Sequence, residues 1–173
     1  MEMALMSDQH EENFRQSLRR LAATVCVISC RHEGVRFGIT VTSVTSLCFK
    51  PLSILACINN GTSIIHPLLA EGRYCINVLQ KSQVEISKRF SGGVPPSERF
   101  LVGGWAEDAQ GIPYLPDAQA NLFCEVDQTV AYSTHQIVIG RAIAAGFAER
   151  VDPLIYQNGG YVACAPLLLN DAA

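Results

Sequence analysis

The spacing of apolar and polar residues divides the chain into one amphipathic helix followed by a series of short β-strands. Apolar residues recur every three or four positions over residues 11–22, which predicts a helix with one buried face. Beyond it, segments rich in β-branched residues alternate with Gly, Asn and Pro, a pattern typical of strands and turns. The predicted strands cover residues 24–30, 35–44, 52–58, 73–79, 120–130, 136–147 and 160–163.

Turn and helix signals fill the gaps between these strands. The glycine at position 34 predicts a hairpin that joins the first two strands. Ser63 is a candidate N-cap for a short helix over 64–70, and Ser82 with Glu85 is a candidate capping box for a helix that ends near Phe90. The Gly- and Pro-rich residues 91–113 predict a long loop around Trp105, and loops of such length usually serve a function.

The number of strands predicts a mainly β fold, an antiparallel barrel with Greek-key-like connections and a few short helices. Closure into a barrel is favoured because it leaves few free sheet edges. A chain of 173 residues fits one domain. We expect a flexible N-terminal tail over 1–10, the barrel domain over 11–165 and a C-terminal tail over 166–173.

Charge and hydropathy narrow the range of partners. The net charge is −3, and no cluster of Lys and Arg is larger than a pair such as Arg19-Arg20, so nucleic acid is a poor candidate partner. We find no apolar run of membrane-spanning length and no secretory signal pattern at the beginning of this sequence. The expected location is therefore the cytoplasm, with no membrane partner.

The cysteines indicate packing rather than a cross-linked scaffold or a metal site. There are seven, an odd number, and none stands in a C-x-x-C pair. Most lie among Val, Ile, Leu and Ala, where a free thiol behaves as a small hydrophobic group. We interpret Cys57 and Cys75 in this way as well, and expect no metal site.

The Thr- and Ser-rich segment 37–46 is the first candidate for binding a ligand. It offers hydroxyls and backbone N–H groups, and Gly38 would permit a ligand to approach the chain closely. Strand alternation puts Thr40 and Thr42 on one face and Ser43 on the other. The alternative interpretation is an ordinary polar edge strand, because Thr is favoured in sheets.

Taken in order, several segments make this sequence resemble the flavin reductase-like family, the reductase partners of two-component flavin monooxygenases. The resemblance covers roughly residues 14–161. It rests on the order in which several short segments follow one another, since no single segment is specific to the family. The segments are Leu-Ala-Ala-Thr-Val at 21–25, Gly-Ile-Thr-Val-Thr-Ser-Val-Thr-Ser at 38–46, Pro-Leu-Ser-Ile-Leu-Ala-Cys-Ile-Asn at 51–59, Ile-Asn-Val-Leu at 76–79, Arg-Phe-Ser at 89–91, Gly-Gly-Trp at 103–105, Ala-Asn-Leu-Phe-Cys-Glu-Val at 120–126, His-Gln-Ile-Val-Ile-Gly at 135–140 and Asp-Pro-Leu-Ile-Tyr at 152–156.

The resemblance implies an FMN-binding split barrel, usually a homodimer with the flavin near the subunit interface. It further implies that one group of residues lines the ring and ribityl chain, and that a second contributes backbone contacts from the strand 55–59. The first group is Gly38, Thr40, Val41, Thr42, Ser43 and Ser46, and the second is Ala56, Cys57, Ile58 and Asn59. By the same matching, the candidates near the phosphate or the flavin tail are Ser63, Ser87, Arg89 and Phe90. Arg99 is added to them because a guanidinium can bind a phosphate through two hydrogen bonds.

His135 is the candidate catalytic residue, since the family's histidine here helps to place the nicotinamide cofactor over the flavin. The family pattern is Gly-Asp-His, whereas this chain has Ser133-Thr134-His135. Tyr156 and Tyr161 are candidates for the nicotinamide side, with core or dimer packing as the alternative. A second departure is Leu-Ala-Ala-Thr-Val at 21–25, where family members often carry Phe-Ala-Thr-Gly-Val.

The expected activity is that of an NAD(P)H-dependent flavin reductase: hydride transfer from NADH or NADPH to FMN, with FAD as a possible substitute, and delivery of electrons to a partner such as a monooxygenase. The protein's part in such chemistry is to align the two rings. Three alternatives stay open at this point. They are an FMN-containing reductase of a corrinoid cobalt or ferric iron, a non-catalytic flavin-binding module, and a structural dimer with a degenerate pocket.

Overall fold

A computed structural model describes residues 2–165, with side chains from Asp8 onward, and its centre is a seven-stranded antiparallel sheet. The strands run in the order β3-β2-β6-β9-β10-β5-β4 across the sheet. Their bounds are β2 Cys26–His32, β3 Val35–Val41, β4 Val44–Phe49, β5 Leu52–Asn59, β6 Arg73–Val78, β9 Ala120–Tyr132 and β10 His135–Phe147. The two smaller sheets are formed by β1 Ala23–Thr24, β11 Ile155–Gln157 and β12 Gly160–Val162, and by β7 Ala106–Glu107 with β8 Pro113–Tyr114.

The barrel closes at a bend between β3 and β4. These strands lie at the two edges of the seven-stranded sheet, yet only Thr42 and Ser43 separate them in the chain. The edges of the sheet therefore meet at this bend, which removes most of the free edge. The segment 35–44, predicted as one strand, is thus two strands with a corner, and the corner lies inside the Thr- and Ser-rich segment.

Over the described residues, four α-helices pack around or extend from the barrel. They are α1 Glu2–Leu18, α2 Ile65–Glu71, α3 Val84–Phe90, which follows a 3-10 turn at Lys81–Gln83, and α4 Pro96–Arg99. α1 begins at Glu2, so residues 2–10 continue a helix where a flexible tail was expected. Met, Ala, Leu and Glu in this segment are strong helix formers, which explains the extension. The expected C-terminal tail over 166–173 lies outside the described residues.

The predicted helix caps are corrected by the structure. Ile64, rather than Ser63, is the N-cap of α2, and it makes no side-chain cap. The capping box that precedes α3 is formed by Gln80 and Gln83 rather than by Ser82 and Glu85. Gln80 also donates to the Asp117 carbonyl at 2.7 Å, so the box ties α3 to the segment after β8.

The core has two parts that share the strand β2. Inside the barrel, Ile28, Ile58, Tyr74, Ile76 and Val138 are all fully buried. A second cluster lies between the barrel and α3; it comprises Val25, Val27, Leu79, Ile86, Phe90, Leu115, Ala118 and Leu154. The ring of Phe90 packs against Phe100 and Trp105 at centroid distances of 5.0 and 5.1 Å. The loop around Trp105 is therefore anchored to α3 through aromatic contacts.

Asn77, on β6, is the main buried polar link between these parts. Its amide nitrogen donates to the Val27 carbonyl and to Ser29 Oγ, both at 2.9 Å, and its oxygen accepts from the Leu115 N–H at 2.8 Å. Because all these groups are buried, the bonds fix the segment after β8 against the barrel.

Within residues 2–165, no helix is long and apolar enough to cross a membrane.

Candidate functional site

A cleft of about 460 Å³ lies between the end of β3, the helix α3 and the hairpin β11–β12. Its volume falls in the range of small-molecule sites. The cleft is lined by Val25, Thr40, Val41, Thr42, Ser87, Lys88, Ser91, Tyr156, Gly159, Gly160 and Tyr161. Six of these are predicted cofactor-binding residues: Thr40, Val41, Thr42 and Ser87 for the flavin, and Tyr156 and Tyr161 for the nicotinamide side.

Hydroxyl groups converge on Ser87 at one wall of the cleft. The Ser87 carbonyl accepts from Thr40 Oγ1 and from Ser91 Oγ, each at 2.7 Å. The Ser87 hydroxyl, which is fully buried, shares a hydrogen bond of 2.9 Å with the Tyr161 hydroxyl. These bonds join β3, α3 and β12, so the wall is held in place without a ligand.

The opposite wall is the hairpin of β11 and β12. Its turn residues Asn158 and Gly159 have φ of 52° and 80°, the left-handed values of a tight two-residue turn. Tyr156 and Tyr161 face each other across the two strands with ring centroids 5.5 Å apart. The Asn158 N–H donates to the Arg19 carbonyl at 2.9 Å, which fixes the hairpin against the end of α1.

A second lobe of about 510 Å³ adjoins the cleft and shares Thr42, Tyr156 and Gly159 with it. Its other lining residues are Arg15, Leu18, Arg19, Leu21, Ala23, Ser43, Gln157 and Asn158. The shared residues make the two lobes one continuous groove. The groove reaches from Ser87 to the bend that closes the barrel.

At that bend Ser43 is bonded to Cys57 of β5. The register of the sheet then pairs Asn59 with His135 two positions further along β5. Residues directly opposite one another in an antiparallel pair share a face, and so do residues two apart on a strand. Ser43, Cys57, Asn59 and His135 therefore lie along one face, about 7 Å apart for each two residues.

His135 is exposed at the start of β10 and is held by its neighbour. Its Nδ1 lies 2.9 Å from Thr134 Oγ1. Ser133 precedes them with a φ of 49°, a left-handed value at the position where the family has glycine. Ser133 thus adopts a left-handed conformation that glycine adopts readily, and the Thr134 hydroxyl contacts the imidazole.

Several predicted site residues are engaged elsewhere. Gly38 does not line the cleft, since a Cβ there would lie 2.5 Å from the Phe90 ring; the close approach that the glycine permits is made by Phe90. Phe90 is 1% exposed and belongs to the core. Arg89 donates to the Glu98 carbonyl at 3.1 Å, and Arg99 donates to the carbonyls of Val94 and Gly38 at 3.2 and 3.1 Å. Both guanidinium groups therefore support the segment around α4 instead of lining the cleft.

The remaining predicted residues divide between core and surface. Ala56 and Ile58 are 1% exposed, so their side chains fill the barrel and only their backbone is available to a ligand. Ser46 and Ser63 are exposed outside both lobes of the groove. The cleft residues that the sequence did not single out are Val25, Lys88, Ser91, Gly159 and Gly160.

The buried cysteines have thiol groups that are hard to ionise. Burial raises the pKa of Cys26, Cys30 and Cys124 to about 12, and raises that of Cys75 well above its ordinary value. Such thiols are poor nucleophiles at neutral pH, which agrees with their interpretation as packing residues. Over the described residues, His, Cys, Asp and Glu form no group of three that could hold a metal ion.

The fold and the groove together define an antiparallel-barrel protein with an elongated groove that is lined in part by hydroxyl groups. The sequence profile described as the flavin reductase like domain matches residues 18–165. The chain is 40% identical over 157 residues to the reductase component of the FADH2-dependent resorcinol hydroxylase from Rhizobium sp. strain MTP-10005, covering 90% of this chain and 88% of that protein.

Two further comparisons, one with a curated relative and one with a solved structure, also match flavin reductases. Identity to the FMN reductase (NADH) RutF of Ancylobacter novellus is 32% over 154 residues, covering 89% of this chain and 85% of that protein. The structure of the flavin reductase PheA2 superimposes with a TM-score of 0.81 at 26% identity, covering 90% of this chain and 98% of that one. The protein belongs to the flavin reductase-like family, and the predicted split-barrel fold is confirmed.

Proposed function

We propose that this protein is an NADH-dependent flavin reductase that binds flavin in the groove and supplies reduced flavin to an oxygenase. The observation that carries the proposal is the continuity of the groove, which leads from the Ser87 wall through Thr42 to the bend at Ser43. The named relatives, a reductase component of a hydroxylase and an FMN reductase (NADH), support the same chemistry.

The residues of the groove suit a flavin. An isoalloxazine ring is flat and apolar on its faces but needs hydrogen-bond partners along one edge, and the ribityl phosphate needs hydroxyls and a cation. Tyr156 provides an aromatic face, and the Tyr161 hydroxyl can donate to a ligand while it accepts from Ser87. Lys88 provides a positive charge in the cleft, and Arg19 provides one in the second lobe. FMN fits this set, and FAD is compatible with it because the groove is open at its second lobe.

In this proposal the flavin supplies the ring that accepts a hydride from the nicotinamide. The protein's own contribution is to hold the two rings in line. The Ser43–Cys57 corner fixes the backbone at the site of the ring, and His135, oriented by Thr134, positions the nicotinamide. In this proposal, backbone groups of Cys57 and Asn59 contact the flavin.

Flavin binding and turnover test the proposal together. Equilibrium dialysis with FMN and FAD should show one flavin per chain, and anaerobic NADH oxidation should depend on added flavin. Absence of binding to either flavin would overturn the proposal. NADH oxidation that proceeds with ferric iron or a corrinoid but not with free flavin would reassign the acceptor, and flavin binding without NADH oxidation would indicate a non-catalytic module.

We further propose that the chain forms a homodimer through the exposed apolar end of the sheet. Phe49 on β4 is 82% exposed and lies opposite Leu52 of β5, which is exposed as well. Ile143 and Phe147 are exposed further along β10, and the exposed fraction of Phe147 is 85%. Large apolar side chains exposed to this degree are often covered by a partner. Sedimentation analysis should give a dimer, and Phe49→Asp should shift the protein to monomer. A monomeric wild-type chain would overturn the proposal.

A further inference from the structure

The turn that follows β5 lies beside the turn that joins β9 to β10, and two hydrogen bonds connect them. The Asn60 N–H donates to the Thr134 carbonyl at 2.9 Å, and the Asn60 side-chain amide donates to the Ser133 carbonyl at 3.4 Å. Asn60 therefore bonds both of the residues that precede His135 in the chain. We name this pair of contacts the Asn60 bridge.

Asn59, the last residue of β5, holds Asn60 in this position. Its side-chain Oδ1 accepts from the Gly61 N–H at 2.8 Å. Its carbonyl accepts from the N–H and the hydroxyl of Thr62, at 3.1 and 2.8 Å. An asparagine side chain that bonds the backbone two residues further on stabilises a tight turn. The position of Asn60 is therefore set by three hydrogen bonds within its own turn.

The second turn contains a residue that needs such support. Only Ser133 and Thr134 separate β9 from β10, and the φ of Ser133 is 49°. A residue with a Cβ adopts this left-handed conformation at a cost in free energy. The amide contact at 3.4 Å is long and therefore weak by itself, but it acts on the carbonyl of the residue that carries this cost. Together with the backbone bond to Thr134, it favours the observed conformation of the turn.

The imidazole of His135 is reached from this turn through one side chain. Thr134 Oγ1 lies 2.9 Å from His135 Nδ1. A shift in the backbone of Thr134 would carry its hydroxyl away from the imidazole, because a single torsion joins the hydroxyl to the backbone. The Asn60 bridge thus determines where the hydroxyl that contacts His135 lies.

Resting on the proposed flavin reductase function, we propose that Asn60 is a positioning residue for NADH binding, because it holds the turn from which Thr134 orients His135. In this role Asn60 acts through the turn and does not contact the nicotinamide. The bridge serves the Ser133-Thr134 turn, in which this chain departs from the Gly-Asp of the family.

Steady-state kinetics and FMN binding on the full chain measure this role. Asn60→Ala removes the amide donor and should raise the KM for NADH about threefold, with less than about a twofold change in kcat and an unchanged Kd for FMN. Asn60→Asp has the same size and should raise the KM further, because its carboxylate repels the Ser133 carbonyl. Gln128→Glu on the exposed part of β9 is the matched amide-to-acid control, and it should leave the KM unchanged.

A double-mutant cycle distinguishes positioning from a general loss of stability. In a Thr134→Val background His135 lacks the contact through which Asn60 acts, so Asn60→Ala should raise the KM by less than about 1.5-fold there. A structural defect unrelated to His135 would raise the KM by the same factor in both backgrounds. That result would overturn the inference.

The flavin-free chain provides a measurement that needs no turnover. The imidazole NMR signals of His135, assigned with His135→Asn, should shift in Asn60→Ala, while the signals of His10, His32 and His66 should not. Unchanged His135 signals, or an unchanged KM for NADH, would overturn this inference alone. A wild-type chain that neither binds flavin nor oxidises NADH would overturn the proposed function, whereas the NMR signals would still report on the bridge, so the two failures are distinguishable.

Discussion

Ser43 makes two hydrogen bonds with Cys57. The Ser43 carbonyl accepts from the Cys57 N–H at 3.1 Å, and the Ser43 hydroxyl donates to the Cys57 carbonyl at 2.7 Å. This double contact lies where the two edges of the barrel meet. The same residue lines the second lobe of the groove. Closure of the barrel and formation of the ligand site therefore depend on one short bend of the chain.

Substitution Ser43→Ala should weaken this corner. The variant loses the side-chain hydrogen bond but keeps the backbone bond, so the free energy of unfolding should fall by about 0.5–1.5 kcal/mol. Urea denaturation measures the change. Ser46→Ala is the matched control, since the Ser46 hydroxyl makes no hydrogen bond within the described chain. If both variants match the wild type in stability, the corner hydroxyl is not a structural contact.

Gly38→Ala should destabilise the protein through packing rather than through the ligand. The new Cβ would lie 2.5 Å from the Phe90 ring, which is held by Phe100 and Trp105, so we expect a loss of about 1–3 kcal/mol. In a Phe90→Leu background the same substitution should cost less, because the ring edge is absent. Normal stability combined with weaker FMN binding in Gly38→Ala would instead place this residue against the flavin.

Much of the barrel was predictable from local patterns. β-branched segments predicted most of the strands of the seven-stranded sheet, and the hairpin at Gly34 is confirmed with left-handed φ values at Glu33 and Gly34. The corner at Thr42–Ser43 was not predictable in this way, because Thr and Ser suit a strand as well as a bend. Only the pairing of β4 with β5 shows that the chain must turn there.

The basic residues near the candidate site show the same limit. The resemblance to the family favours Arg89 over its neighbour Lys88. Which of the two faces the cleft depends on the rotation of α3 about its axis, and that rotation is set by burial of Ile86 and Phe90. Only the packed helix shows that Lys88 lines the cleft while Arg89 is bonded to the Glu98 carbonyl.

The buried thiols should make the fold sensitive to alkali. The pKa of Cys26, Cys30 and Cys124 is about 12 in the folded chain, against about 9 for an exposed thiol. Below pH 9 both folded and unfolded thiols are protonated, so their contribution to stability is constant. Between pH 9 and 12 only the unfolded chain loses these protons, so stability should fall. Urea midpoints at pH 8, 9 and 10 measure this fall, and Cys124→Ala should make it shallower. A fall that is equally steep in Cys124→Ala would assign it to other groups.

Thr134 and His135 allow the nicotinamide side of the site to be tested separately from the flavin side. The 2.9 Å contact between Thr134 Oγ1 and Nδ1 orients the imidazole, so Thr134→Val should raise the KM for NADH about threefold to tenfold with a smaller effect on kcat. Thr134→Ser keeps the hydroxyl and should behave like the wild type, and Thr129→Val is a matched control on the exposed part of β9.

The variant His135→Asn tests the imidazole itself. It should lower kcat/KM for NADH by at least about tenfold while FMN binding is retained, because the imidazole is expected to contact the nicotinamide and not the flavin. If instead the variants weaken FMN binding and leave the KM for NADH unchanged, His135 contacts the flavin rather than the nicotinamide.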